Sequence, residues 1–126
     1  MAAAVEARRR GLSFEILEAT EPFSTLVNFP KLKPIYAYPR QMTPEGALQV
    51  GAYVKEALLD ELRAQVEQHG IAVTEARAER VERHGQRLVV HLAGRSPLVA
   101  RRVVAALGRT GNFRKLKVPG EERDKV

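Results

Sequence analysis

Residues 1–18, MAAAVEARRRGLSFEILE, contain the change of pattern that decides the fold of this chain. The alanine- and arginine-rich start favours a helix over residues 2–10, and Gly11 follows it as a stop signal. Residues 13–18 then combine apolar and polar side chains in the manner of a strand, which finishes on Glu18. The alanine-rich face would let the helix lie close to a sheet, so the stretch predicts an α/β fold.

A helix that leads into a strand ending on a carboxylate matches the second half of the βαβ unit that binds dinucleotides. In that unit a glycine-rich turn precedes the helix, and an acidic residue roughly 20 positions later binds the ribose hydroxyls. Glu18 supplies the acid, whereas the first strand and its glycines do not stand before Met1. We therefore expect a ribose-binding position without the turn that cradles the phosphates.

The composition excludes several classes of protein. The chain has 126 residues, 44% of them hydrophobic, which predicts one domain with its own core. It has no cysteine, which excludes a disulfide scaffold, a zinc–thiolate site, an iron–sulfur cluster and a redox dithiol within this chain. Three scattered histidines predict no metal site. No run is apolar enough for a membrane span or signal peptide, so a cytoplasmic location without a membrane partner is expected.

The charge favours an anionic partner. The net charge of +6 and the pI of about 10.1 are compatible with nucleic acid or with an anionic cofactor. However, the basic residues are spread along the chain and alternate with glutamates through residues 56–82, which is typical of a solvated surface. A small basic nucleic-acid-binding module is therefore retained as an alternative function.

The rest of the chain predicts an irregular segment, one long helix and several strands. Residues 19–50 contain five prolines, and their aromatic side chains, which favour burial, predict an ordered loop. Apolar residues from Val54 to Val66 recur at helical spacing before Gly70, and the charged residues between them are expected to face solvent: Glu56, Asp60, Glu61, Arg63 and Glu67. The later elements are strands at 71–77, 78–83 and 87–93, turns at 84–86 and 94–97, and a strand over 98–107 that is buried on both faces.

Three stretches are similar to one protein family. They are residues 1–18; residues 58–92, LLDELRAQVEQHGIAVTEARAERVERHGQRLVVHL; and residues 101–122, RRVVAALGRTGNFRKLKVPGEE. Together they resemble the FAD-binding domain of pyridine-nucleotide-dependent flavoprotein oxidoreductases, the two-dinucleotide-fold family that contains thioredoxin reductase. Residues 28–46 resemble a loop that lies near the isoalloxazine ring in one subgroup of this family. Leu107 departs from the usual threonine of the family.

The resemblance implies an incomplete FAD/NAD(P)-binding Rossmann-like domain, truncated at both ends. Its expected layers are a parallel sheet, helices and a small antiparallel β-hairpin layer. Residues 1–120 would form the partial FAD-binding domain without its first strand and GxGxxG turn. Residues 121–126 would begin the linker to an NAD(P)H domain.

The resemblance also implies five cofactor-binding positions. Glu18 would bind the ribose of the AMP half of FAD, the main chain of Arg77 and Ala78 would meet the adenine, and Ala106 and Gly108 would pass close to the cofactor. The alternatives are an exposed strand-end glutamate, an ordinary strand and an ordinary turn. We identify no catalytic side chains and no metal ligands, and in the family the flavin carries the redox chemistry.

The expected parent activity is hydride transfer from NAD(P)H to the flavin and electron transfer to an acceptor, which makes the family an enzyme family. Its partners are FAD, NAD(P)H and that acceptor, and a homodimer is left open. The isolated chain is expected to bind FAD weakly or not at all and to be inactive, because the glycine-turn amides that hold the pyrophosphate are missing. A non-functional gene fragment is the remaining alternative.

Overall fold

The computed structural model describes residues 1–36, 43–108 and 118–119. Along the chain it contains α1 (Ala2–Arg9), β1 (Leu17–Glu18), α2 (Ser24–Val27), α3 (Lys55–Gln68), β2 (Thr74–Glu75), β3 (Ala78–His84), β4 (Arg87–Leu92) and β5 (Arg95–Ala100). Strands β1 and β2 form a parallel pair, and β3, β4 and β5 form an antiparallel sheet in that order. The predicted α/β class, with a parallel sheet, helices and an antiparallel layer, is confirmed. Within the described residues, no helix is long and apolar enough to cross a membrane.

Helix α1 packs its small apolar face against residues that precede the two parallel strands. Val5 is fully buried and Ala4 nearly so, and both belong to a core cluster with Ile71. Phe14 is among the partly buried residues that pack on this cluster. After the helix, Gly11 takes a φ of +64°, the left-handed conformation that suits glycine at a helix end. The helix predicted at residues 2–10 is thus confirmed to within one residue.

The parallel pair is shorter than predicted. Leu17 lies opposite Thr74 and Glu18 opposite Glu75. The backbone N–H of Ala76 continues the pairing by donating to the Glu18 carbonyl at 2.9 Å. The pair nevertheless joins two segments that are distant in the sequence, and both of its strands end at the same edge.

The antiparallel sheet is built from two tight turns and buries one face. Gly85 and Gly94 stand in the turns with φ of +59° and +64°. On the inner face Val90 and Leu92 are buried, and they form a second core cluster with Ala76. The other face meets solvent, as is common for antiparallel sheets.

The strand predicted over residues 98–107 is wrong. Strand β5 begins earlier, at Arg95, pairs antiparallel with β4 and ends at Ala100, so the turn predicted at 94–97 is confined to its start. Residues 102–108 adopt no regular structure, and Leu107 is 87% exposed. An apolar strand is buried on both faces only when it lies between neighbouring strands and under covering layers. Within the described residues, neither sheet pairs with residues 102–108.

Helix α3 confirms the periodic segment predicted before Gly70. It buries Leu58, Leu59 and Leu62 and ends at Gln68. Next to it, the irregular segment over residues 19–50 contains the short helix α2 but no strand in its described part, while residues 37–42 lie outside the described residues. Burial of its aromatic side chains is incomplete, because Tyr36 is 86% exposed.

The expectation that Glu56 and Glu61 face solvent is wrong, because both are half-buried and accept hydrogen bonds from the backbone that precedes α3. The Leu32 N–H donates to Glu56 Oε1 at 3.1 Å, and the Gly51 N–H donates to Glu61 Oε1 at 2.9 Å. The neighbouring Lys55 ammonium donates to carbonyls of the same segment, those of Val27 at 2.7 Å and Phe29 at 2.6 Å. These charged side chains satisfy backbone groups that have no strand or helix partner.

Acid should weaken the Glu56 contact. The hydrogen bond from the Leu32 N–H is the main cause that lowers the pKa of Glu56 below 4.5. Since the folded-state pKa is depressed, the contact stabilises the fold above pH 4.5 and is lost as the pH falls through the lowered value. We expect Glu56→Gln to lower the free energy of unfolding at pH 7, with a difference from wild type that shrinks towards pH 3, measured by urea denaturation.

The matched control is Glu67→Gln, because Glu67 is an exposed glutamate on the same helix. Its effect should be small at both pH values. An unchanged difference between wild type and Glu56→Gln at pH 7 and pH 3 would contradict the assignment.

Candidate functional site

Glu18 ends β1 at the edge where both parallel strands finish. It is half-buried, and its Oε1 accepts the Thr20 N–H at 3.2 Å and the Thr20 hydroxyl at 3.4 Å. Within the described residues, no hydrogen bond reaches its Oε2. The local turn therefore orients the carboxylate and leaves one oxygen able to accept hydrogen bonds from a ligand.

The backbone of Arg77 and Ala78 lies beside this edge. The N–H of the preceding residue, Ala76, donates to the Glu18 backbone carbonyl, so the chain leaves β2 next to Glu18. The Arg77 carbonyl accepts the Ala93 N–H at 2.9 Å, which ties this crossing to the antiparallel sheet. Both residues are exposed, and Ala78 precedes a register shift in β3. The structure thus brings three of the sequence-predicted positions into one neighbourhood.

Ala106 and Gly108 lie in the exposed irregular stretch after β5. Gly108 has a φ of +67°, which explains a glycine there, and an added Cβ would meet no atom within 4 Å. The backbone conformation therefore favours glycine at this position, whereas no described atom lies close enough to exclude a side chain. Their proximity to a cofactor stays a prediction.

The start of α1 adds a feature suited to an anion. Its first turn contains no acidic residue and its N-cap makes no side-chain bond, while the amides of Ala4 and Val5 bond to the Met1 carbonyl. Helix N-termini favour negative charge. Within the first turn of α1, no carboxylate therefore opposes an anion.

A second polar group lies on the solvent face of the antiparallel sheet, and sequence reasoning missed it. His91 Nε2 lies 2.9 Å from Glu82 Oε2, and Arg80 pairs with the other carboxylate oxygen. The contact with His91 is the main cause that lowers the pKa of Glu82. Only the β3–β4 register could reveal this group, since its members are separated in the sequence. Among the described residues, no three histidine or carboxylate side chains are placed to hold a metal ion.

Comparisons with known proteins agree with this architecture. A family model described as FAD-NAD(P)-binding matches residues 39–110. Bacillithiol disulfide reductase Bdr (YpdA) from Staphylococcus aureus superposes on 98% of the chain with a TM-score of 0.77 and 18% identity, and 39% of its own length is covered. The same reductase from Bacillus cereus superposes on 98% with a TM-score of 0.76 and 23% identity, and 40% of its length is covered. No curated protein matches the sequence.

The chain therefore spans about 40% of the length of these reductases, and the likeness to them concerns the fold. The family match covers more than half of the sequence, including all of residues 58–92, and confirms the resemblance to FAD-NAD(P)-binding proteins. On this evidence, the chain belongs to the FAD-NAD(P)-binding family.

Proposed function

We propose that this chain is part of the FAD-binding domain of an NAD(P)H-dependent flavoprotein oxidoreductase, and that its described residues hold the adenosine end of FAD. The observation that carries the proposal is the Glu18 carboxylate at the carboxyl edge of a parallel pair, which Thr20 holds through one oxygen while the other accepts no hydrogen bond from the described residues. Ligands bind at this edge in open α/β sheets. A carboxylate there accepts both hydroxyls of a ribose through charge-assisted hydrogen bonds.

Each residue of the site has a distinct role. Glu18 accepts the ribose hydroxyls, and the main chain of Arg77 and Ala78 offers peptide groups to the adenine. Leu17 supports this edge from below, because it packs on the cluster of Ala76, Val90 and Leu92. When bound, the flavin supplies the redox chemistry. Hydride transfer from NAD(P)H and delivery of electrons to an acceptor belong, in this proposal, to the whole oxidoreductase.

For the isolated chain we propose weak binding without catalysis. In this proposal the described residues contact only the adenosine end of a long cofactor, so the rest of the cofactor has no assigned contact among them. A purified chain that retains one FAD per polypeptide would overturn this part of the proposal.

The adenosine site can be tested with adenosine itself, a neutral probe that contains the ribose and the adenine. In ¹⁵N-resolved NMR titrations we expect the amide shifts of Glu18, Thr20, Arg77 and Ala78 to move together with one dissociation constant. Shifts confined to other parts of the chain, or no shifts at millimolar adenosine, would contradict the assignment.

A further inference from the structure

The tip of the antiparallel sheet, beside the β3–β4 turn, carries an open cavity of about 490 Å³. Its lining contains four arginines together with two turn residues: Arg83, Arg87, Arg101, Arg102, Gly85 and Gln86. We name these four side chains the arginine cluster. The volume lies in the range of small-molecule sites, roughly 300–1,000 Å³.

The strand register concentrates this positive charge. Leu88 pairs with Ala100, so the next register position sets Arg87 opposite Arg101. Like charges directly opposite each other destabilise an antiparallel pair. Arg83 also lines the cavity, from the other neighbouring strand, where it lies opposite Leu88.

The described part of the chain does not neutralise the arginine cluster. None of its members forms a salt bridge with a described carboxylate, and the nearby Glu82 pairs instead with Arg80 and His91. Within the cluster, the Arg102 guanidinium donates to the Arg101 carbonyl at 3.0 Å. Guanidinium groups remain charged at every physiological pH, so the cavity is permanently cationic.

We propose that this cavity binds a small anion with two or more phosphate groups, such as free pyrophosphate or the diphosphate of a nucleotide. Guanidinium groups form bidentate hydrogen bonds with phosphate oxygens, and several of them suit a multiply charged anion. The anion relieves the repulsion between Arg87 and Arg101 when it binds. The cavity shares no residue with the Glu18 edge, so the two sites are independent.

The test is a calorimetric titration of the full chain with sodium pyrophosphate at low ionic strength. Arg87→Ala and Arg101→Ala should each weaken binding about tenfold, the effect of losing a charge-assisted hydrogen bond. Arg87→Lys keeps the charge but loses the planar fork, and should give an intermediate affinity. Neither alanine variant should lower the melting temperature, because each removes a repulsion.

Arg95→Ala is the matched control, since Arg95 is an exposed arginine of the same sheet at the opposite end of β5. Its affinity for pyrophosphate should equal that of the wild type. Failure of pyrophosphate to bind, or equal losses for Arg95→Ala and Arg87→Ala, would overturn the proposal in favour of a diffuse positive field.

Two further probes separate the source of the anion from the adenosine site. ADP binding tighter than pyrophosphate, with the same dependence on Arg87, identifies a nucleotide, whereas equal affinities identify the free anion. Adenosine alone should leave the amide shifts of the arginine cluster unchanged. Failure of adenosine to bind at the Glu18 edge would therefore leave the result for pyrophosphate unaffected. If a short single-stranded DNA binds more tightly than pyrophosphate, and Arg87→Ala abolishes that binding, the ligand of the cavity is a nucleic acid and the proposal of a small anion is wrong.

Discussion

Replacing Glu18 with glutamine should weaken adenosine binding about tenfold, because the ribose hydroxyls lose a charged acceptor. Glutamine has the same shape, and its side-chain oxygen can still accept the Thr20 N–H that orients the native carboxylate at 3.2 Å. The substitution therefore changes the charge at the edge and preserves the local turn. Amide shifts during an adenosine titration of both proteins measure the effect, and circular dichroism checks that the fold is retained.

Glu67→Gln serves as the control for this substitution too, since it removes the same charge from an exposed position on α3. Its dissociation constant for adenosine should match that of the wild type. If the two glutamine variants bind adenosine equally well, Glu18 has no part in nucleotide binding and is an ordinary strand-end acid.

Replacing Val5 with aspartate should unfold the chain. Val5 is 0% exposed and belongs to the cluster that joins α1 to Ile71. Burying an unpaired carboxylate there costs several kcal/mol, whereas the whole stability of a domain is about 5–15 kcal/mol. We expect the cooperative urea transition of the wild type to be absent in this variant, as measured by far-ultraviolet circular dichroism.

Val99→Asp tests whether burial is the cause. Val99 is 64% exposed on β5, so the same substitution there should change the free energy of unfolding by no more than about 0.5 kcal/mol. A Val5→Asp protein that unfolds at the urea concentration of the wild type would show that α1 is not part of the folded core.

The local elements could be predicted because their signals are contained within a few neighbouring residues. Helix α3 follows from apolar residues at helical spacing, and Gly70 stops it with a φ of +59°. The β3–β4 turn likewise follows from Gly85 between two alternating runs. Such signals act through backbone conformation and the burial of one face, both of which are set by the residue types themselves.

The errors came from contacts whose partners are far away in the sequence. The run 98–107 was predicted as a doubly buried strand from its apolar residues, but burial depends on neighbouring strands, and Leu107 is 87% exposed. Helix periodicity places Glu56 and Glu61 on the solvent side, but the amides of Leu32 and Gly51 donate hydrogen bonds to them. Periodicity describes which residues share a face and does not identify what that face contacts.

The sequence alone determined the class of the fold and the positions of α1 and α3, and it nominates Glu18 as the ribose-binding acid, which stays a prediction. These depend on residue type, spacing and a family resemblance that the comparisons confirm. Only the tertiary structure decided that Glu18 lies beside the crossing at Arg77 and that Arg87 and Arg101 share one cavity. Both juxtapositions arise from the pairing of strands, and strand register is set by long-range burial and turn geometry.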